Sequence, residues 1–243
     1  MNSDQTTLHY QSESFVCCIK IFDWVGIVTT LVLLDLDKTI LSCNSAKLWI
    51  SREWKHGKVS LWQLLQSLGW LSLYHWGKAD VSDFLRSVSM WMKDEPESDL
   101  QHRTCNFWEE SIRYQIRTEM REIIEWHRAQ GHVLALLTAS SNYLSELVAA
   151  ELNIPHVLCN RVEVEAGLLT GYMLEPLCFG SGKILHAIKL GEELGLDWTA
   201  GYFYTDSFSD LPVLEAVTHP KVVCPDPRLE REAQSKGWEI LRF

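Results

Sequence analysis

Leu31-Val32-Leu33-Leu34-Asp35-Leu36-Asp37-Lys38-Thr39 decides how the rest of the chain is read. Four aliphatic residues run directly into two carboxylates and a hydroxyl. The run is short, β-branched at Val32 and apolar on both faces, which suits a strand buried in the middle of a parallel sheet. Asp35 and Asp37 then fall where the strand stops. Open parallel sheets bind ligands outside the carboxyl ends of their strands. Two acids side by side there repel by roughly 4 kcal/mol at ~4 Å and an effective dielectric of ~20. A divalent cation would offset that repulsion, and hard cations such as Mg²⁺ prefer oxygen ligands. A lone Asp-x-Asp is equally what a polar loop after a core strand looks like, so the motif needs company.

Composition narrows the classes. The chain has 243 residues, 47% of them apolar, enough for one large domain or one domain with a sizeable insert. With 22 Lys and Arg against 32 Asp and Glu, the net charge of −10 argues against a nucleic-acid partner and against a polybasic membrane contact. Cysteines stand at Cys17, Cys18, Cys43, Cys105, Cys159, Cys178 and Cys224 with no Cys-x-x-Cys pair. That pattern speaks against zinc and for reduced thiols in a cytoplasmic protein. The apolar stretch Trp24 to Leu34 covers about eleven residues. A membrane span needs about 20, so neither a span nor a signal peptide is expected. Residues 1–28 read as an N-terminal extension, either loose or a helix packed on the edge.

Residues 42–116 read as a helical insertion. It holds Trp49, Trp54, Trp62, Trp70, Trp76, Trp91 and Trp108, seven of the eleven tryptophans, for which core packing is the expected use. Leu61, Leu64, Leu65 and Leu68 recur at helical spacing. A second helix is expected from Val81 behind Asp80 as cap, then a charged turn at Lys93–Glu97. Beyond it, from Thr118, helices and strands alternate. Strands are expected at His132–Thr138, His156–Cys159, Gly201–Thr205 and Lys221–Cys224. A hairpin is expected about Ala166-Gly167, and helices at Asn142–Leu152, Gly182–Gly195 and Pro227–Lys236. The fold class that follows is α/β. It is a doubly wound, Rossmann-like parallel sheet, built from residues 29–41 and 117–243, with an inserted all-helical domain at 42–116.

Four sites then stand out. Asp35/Asp37, Thr138 and Asp206 with Asp210 each follow an expected strand, and Lys183 opens a helix at Gly180-Ser181-Gly182-Lys183. Parallel strands bring their carboxyl ends to one edge, so these residues can converge. Each has a plainer use: Thr138 as a helix cap, Lys183 as a solvated helix residue, Asp210 as the cap before Leu211-Pro212. Gly180–Lys183 is not a Walker loop, because Leu177 and Ile184 stand where that motif requires Gly and Ser or Thr.

The ordered set resembles the haloacid dehalogenase-like hydrolases. The first motif there is an apolar strand followed by Asp-x-Asp-x-Thr, here Asp35-Leu36-Asp37-Lys38-Thr39. Next come a Ser or Thr ending a strand (Thr138), a Lys (Lys183) and an acidic pair after a later strand (Asp206-Ser207-Phe208-Ser209-Asp210). The insert resembles the helical cap of the phosphoserine-phosphatase-like branch, subfamily IB. Tyr204–Pro212 and Pro225-Asp226-Pro227-Arg228 are similar to that branch's C-terminal half. The resemblance implies a phosphomonoesterase with Asp35 as nucleophile and Asp37 as general acid and base. It implies Thr138 and Lys183 on the phosphoryl oxygens. It also implies Mg²⁺ on Asp35, Asp206 and the main-chain carbonyl of Asp37, with Asp210 behind it or bound through water. The implied partner is a small soluble phosphate ester, phosphoserine-like or another amino-alcohol phosphate. Phosphoserine-selective relatives carry a Glu nine residues after the nucleophile, where this chain has Asn44. Arg52 and Glu53 stand in the cap as charges that either meet a zwitterionic substrate or face solvent. Competing classes are a phosphotransferase using the same intermediate and a phospho-accepting or binding module without turnover.

Overall fold

The structure, a computed structural model, describes residues 29–63, 65, 66, 69 and 81–243. The N-terminal extension at 1–28, Leu64, Leu68, Trp70, Trp76 and Asp80 lie outside the described residues.

Strand β1 is Leu31–Leu34, and all four of its side chains are buried. It lies third in a six-stranded sheet ordered β3-β2-β1-β6-β7-β8, with every pairing parallel. The other strands are β2 Val133–Ser141, β3 His156–Asn160, β6 Tyr202–Thr205, β7 His219–Val223 and β8 Glu239–Leu241. The chain steps outward from β1 to β3, then returns to the other side of β1. The direction reverses between β1 and β6, and the crevice at such a reversal is where ligands bind in open α/β sheets.

The two-residue period of β1 explains the two layers of helix. Leu31 and Leu33 enter one core with Ala187, Leu190, Val213, Leu214, Leu229 and Ala233. Those residues come from helices Gly182–Leu194, Leu211–Ala216 and Pro227–Lys236. Val32 and Leu34 enter the other core with Met120, Ile124, Leu144 and Val148, from helices Thr118–Ala129 and Asn142–Glu151. The doubly wound sheet expected from the alternation is therefore present. The last strand, β8, has no counterpart in the sequence reading.

The insertion contains helices Ser45–Lys55, Val81–Met90 and Glu97–Phe107. Residues 61–63, 65, 66 and 69 are helical too. The crossings into and out of it are joined. Leu41 bridges Ile116, the Ser42 N–H donates to Gln115 O at 2.8 Å, and the Arg117 N–H donates to Ile40 O at 2.9 Å. The expected hairpin forms as β4 Val162–Glu165 and β5 Leu168–Met173, a sheet of its own. It is bonded to the insertion: the Asp94 N–H donates to Leu169 O, the Leu169 N–H to Glu95 O, and the Glu97 N–H to Gly167 O. The tryptophans divide. Trp108 is buried and Trp49 packs edge-on to Phe107, whereas Trp54 and Trp62 are exposed, as are Leu61 and Leu65.

Candidate active site

Register brings the acids together. Leu34 lies opposite Leu136 on one side and Tyr204 on the other. The Asp35 N–H donates to Tyr204 O at 2.9 Å, so Asp35 and Asp206 leave adjacent strand ends. Lys183 arrives from the second residue of its helix because the first is glycine. A Cβ on Gly182 would lie 2.2 Å from Leu177 O, so no other residue lets the helix start this close to that turn. Lys183 is buried, and its Nζ donates to Asp35 Oδ1 at 2.8 Å and to Asp210 Oδ2 at 2.7 Å. Thr205 Oγ1 donates to the same Asp210 oxygen at 2.7 Å. Asp210 Oδ1 is buried and has no hydrogen-bond partner among the described residues.

Lys183 is therefore not a solvated helix residue. Asp210 occupies the cap position of Leu211–Ala216 but makes no side-chain cap bond, because its carboxylate is turned to Lys183 and Thr205. Thr138 is buried, and its Oγ1 accepts from the Ser140 N–H at 3.2 Å. The residue at the cap position of the following helix is Ser141, so capping does not explain Thr138. Asp37 Oδ1 accepts from the Ser45 N–H at 2.9 Å, which ties the second acid to the start of the insertion's first helix.

The charges do not balance. Burial pushes the Asp35 carboxyl up to about 8; Asp210 and Asp206 add to the shift and Lys183 opposes it. Burial likewise raises Asp206 to about 7, against the pull of Lys38. Burial raises Asp37 too, against its hydrogen bond from Ser45. Burial would lower Lys183, but the Asp210 and Asp35 carboxylates outweigh it and keep the ammonium charged. Asp35, Asp206 and Asp210, three buried acids, thus stand around one buried cation, Lys183.

That deficit suits a divalent ion. Among the described residues no three His, Cys, Asp or Glu side chains form a ready cluster. The oxygens at hand are the Asp35 and Asp206 carboxylates and Asp210 Oδ1. Mg²⁺ typically takes one or two carboxylates and keeps several waters, so the donor set fits it.

Asp226 has a part in the site that no motif spacing announces. Its Oδ2 accepts from the Phe208 N–H at 2.7 Å, and its N–H donates to Asp206 O at 2.9 Å. Its Oδ1 caps helix Pro227–Lys236 through the Arg228 and Leu229 N–H groups. One side chain thus clamps the Asp206–Asp210 loop to a helix. Arg228 lies over the Phe208 ring at 4.2 Å. The resemblance over Pro225-Asp226-Pro227-Arg228 marks this stretch without giving Asp226 a role, and Asp-Pro at a helix start also suits a cap.

Glu53 does not face solvent, and both charges of the Arg52–Glu53 pair are engaged within the insertion. Glu53 is buried with Arg103 Nε 3.0 Å from its Oε2, and Arg52 bonds Glu110. Asn44 caps the first helix of the insertion, its Oδ1 accepting from the Lys47 N–H at 2.9 Å.

The family model for haloacid dehalogenase-like hydrolases matches residues 32–215. The chain belongs to that family. A histidinol-phosphatase of Neisseria meningitidis is 27% identical over 218 residues, spanning 88% of this chain and 98% of that one. A protein of unknown function from Bordetella pertussis Tohama I superposes with a TM-score of 0.81 at 25% identity, covering 88% of this chain and 98% of that one. A phosphoserine phosphatase carrying a phospho-aspartyl intermediate analogue shares the fold, with a TM-score of 0.66 at 18% identity over 88% of this chain and 93% of that one. Among the described residues no helix is long and apolar enough to cross a membrane.

Proposed function

We propose that this protein is a Mg²⁺-dependent phosphomonoesterase that hydrolyses a small amino-alcohol phosphate through an aspartyl-phosphate on Asp35. The observation that carries the reading is Lys183 bonded at once to Asp35 and Asp210 at the end of β1 and β6. Asp35 Oδ attacks phosphorus as the ester P–O bond breaks. Asp37, a carboxyl that burial holds above its ordinary range, gives its proton to the departing alkoxide. It then takes a proton from the water that attacks the aspartyl-phosphate, releasing inorganic phosphate and regenerating Asp35. Thr138 and Lys183 hold the phosphoryl oxygens as negative charge shifts among them. Mg²⁺ bound by Asp35, Asp206 and the Asp37 carbonyl, with Asp210 behind, would neutralise the acids and hold Asp35 as carboxylate.

The substrate class rests on one relative, and Asn44 separates phosphoserine from the rest of it. The Neisseria relative is named a histidinol-phosphatase. In the present chain the position nine after Asp35 is Asn44, whose side chain is taken up in capping, so no acid stands there for a phosphoserine ammonium. The test is a panel of phosphate esters assayed with Mg²⁺, including histidinol phosphate, phosphoserine and p-nitrophenyl phosphate. Release of inorganic phosphate from amino-alcohol phosphates above the others is expected. No release from any ester, or transfer only to added alcohols, overturns the reading.

A further inference from the structure

Lys38 is a charged motif residue that this mechanism does not use. It follows Asp37 in a left-handed turn, at φ 54° and ψ 0°. The turn is fixed from both sides: the Lys38 N–H donates to Cys43 O and the Leu41 N–H to Leu36 O, each at 2.9 Å. A non-glycine residue held there is uncommon. Its Nζ lies 3.7 Å from Asp206 Oδ2, with the lysine side chain 48% exposed and the aspartate side chain 9%. Such a pair is lopsided. The acid is fixed and nearly dry, while the ammonium is wet, flexible and too far for a good hydrogen bond. Lys183 is already committed to Asp35 and Asp210. Among the described residues Lys38 is thus the one cation within ion-pair distance of Asp206.

We propose that Lys38 is a displaceable counter-ion. It sits on Asp206 while the divalent cation is absent, yields that carboxylate to the cation, and then lends its charge to the phosphate. The inference rests on the phosphatase reading and deepens it. An exposed lysine on a long stem gives up such a contact at small cost, because exposed ion pairs contribute little. It remains close to the site because its backbone is pinned. Neutralising it has opposite effects on the two ligands: the cation loses a competitor and a like charge, while the phosphate loses an attraction. A lysine that merely supports the turn would weaken both together.

The test uses Lys38→Asn, which suits the left-handed turn, Lys38→Gly as a second neutral variant, and Lys38→Arg to keep the charge. Isothermal titration of the metal-free full chain with MgCl₂ reads the first ligand. Titration of the Mg²⁺-saturated chain with inorganic phosphate reads the second. For both neutral variants, Mg²⁺ is expected to bind about threefold tighter and phosphate about threefold weaker, with Lys38→Arg near wild type. Unchanged or weaker Mg²⁺ binding in both neutral variants overturns the role of Lys38, while Mg²⁺ binding to the wild type keeps the phosphatase reading. A wild-type chain that binds no Mg²⁺ overturns both.

Discussion

The two edges of the sheet bury polar groups in opposite ways. At the carboxyl edge Lys183 is bonded to Asp35 and Asp210 beside Asp206, and burial leaves Asp35 and Asp206 above their ordinary range. At the amino edge, where β2, β6 and β7 begin, the buried group is His127. Its Nε2 meets Tyr204 Oη at 2.9 Å and its Nδ1 meets His132 Nδ1 at 2.8 Å. His132 stacks on Tyr202, and Tyr202 on His219. Burial, then the neighbouring His132 and Lys221, holds His127 down at about 4, so the His127 ring is buried neutral at pH 7 and needs no counter-ion. One edge buries acids short of a counter-charge, and the other buries a neutral ring. Chemistry belongs to the unbalanced edge, because only there would a further cation be drawn in.

Breaking the carboxyl edge should give the largest effect. Asp35→Asn is expected to lower kcat by at least about 10³-fold, as loss of a nucleophile does, with the fold intact by circular dichroism. Wild-type turnover by that variant would remove the assignment. Next comes the metal. EDTA should stop turnover and Mg²⁺ restore it, and Mg²⁺ at 100 times its Kd should add about 2.7 kcal/mol of stability.

That gain also has a pH signature. Asp35 and Asp206 have raised folded pKa values, about 8 and about 7. Their contribution to stability is present below about pH 4 and is lost as pH rises through 7 to 8. The metal-free protein should therefore gain more melting temperature from Mg²⁺ at pH 8 than at pH 5; equal gains at both would contradict the charge deficit.

The amino edge runs the other way. His127 is depressed, so its contribution is present above about pH 6.5 and is lost as pH falls toward 4. Urea unfolding should show wild type losing about 2 kcal/mol over that window relative to His127→Gln, with neutral-pH turnover unchanged. Parallel profiles for the two proteins would refute it. The smallest effect is reserved for Asp226→Ala. Loss of a helix cap and of the Phe208 contact should cost about 1 to 2 kcal/mol. It should lower kcat more than it raises KM, with Asp226→Asn restoring part of kcat. A variant that changes stability alone would limit Asp226 to capping.

The two edges also differ in how far sequence reveals them. The carboxyl edge was legible because strand ends mark where side chains converge. Asp35, Lys183 and Asp210, which Lys183 ties together, could be placed from the order of apolar runs and glycines. The amino edge was not, since His127 and Tyr204 are 77 positions apart and neither follows a periodic signal. Strand β8 escaped notice because Glu-Ile-Leu at an edge is too short for a pattern. Glu53 was hidden for a related reason: its partner Arg103 lies on another helix, so spacing alone leaves it as an exposed charge. The tryptophan cluster shows the limit of composition. It marks the insertion as a unit yet does not say that Trp54 and Trp62 face outward.

The laced crossings at Leu41 and Ile116 bear on how this molecule is engineered. Because departure and return lie side by side, the sheet senses only a short closed loop, whatever length of chain is carried beyond it. A foreign specificity module is therefore graftable at that point without re-registering β1. The graft has to include residues 162–173 as well, since the backbone bonds from Asp94, Glu97 and Leu169 span both pieces. A transplant of 42–116 alone would leave unsatisfied amides on each side of the seam.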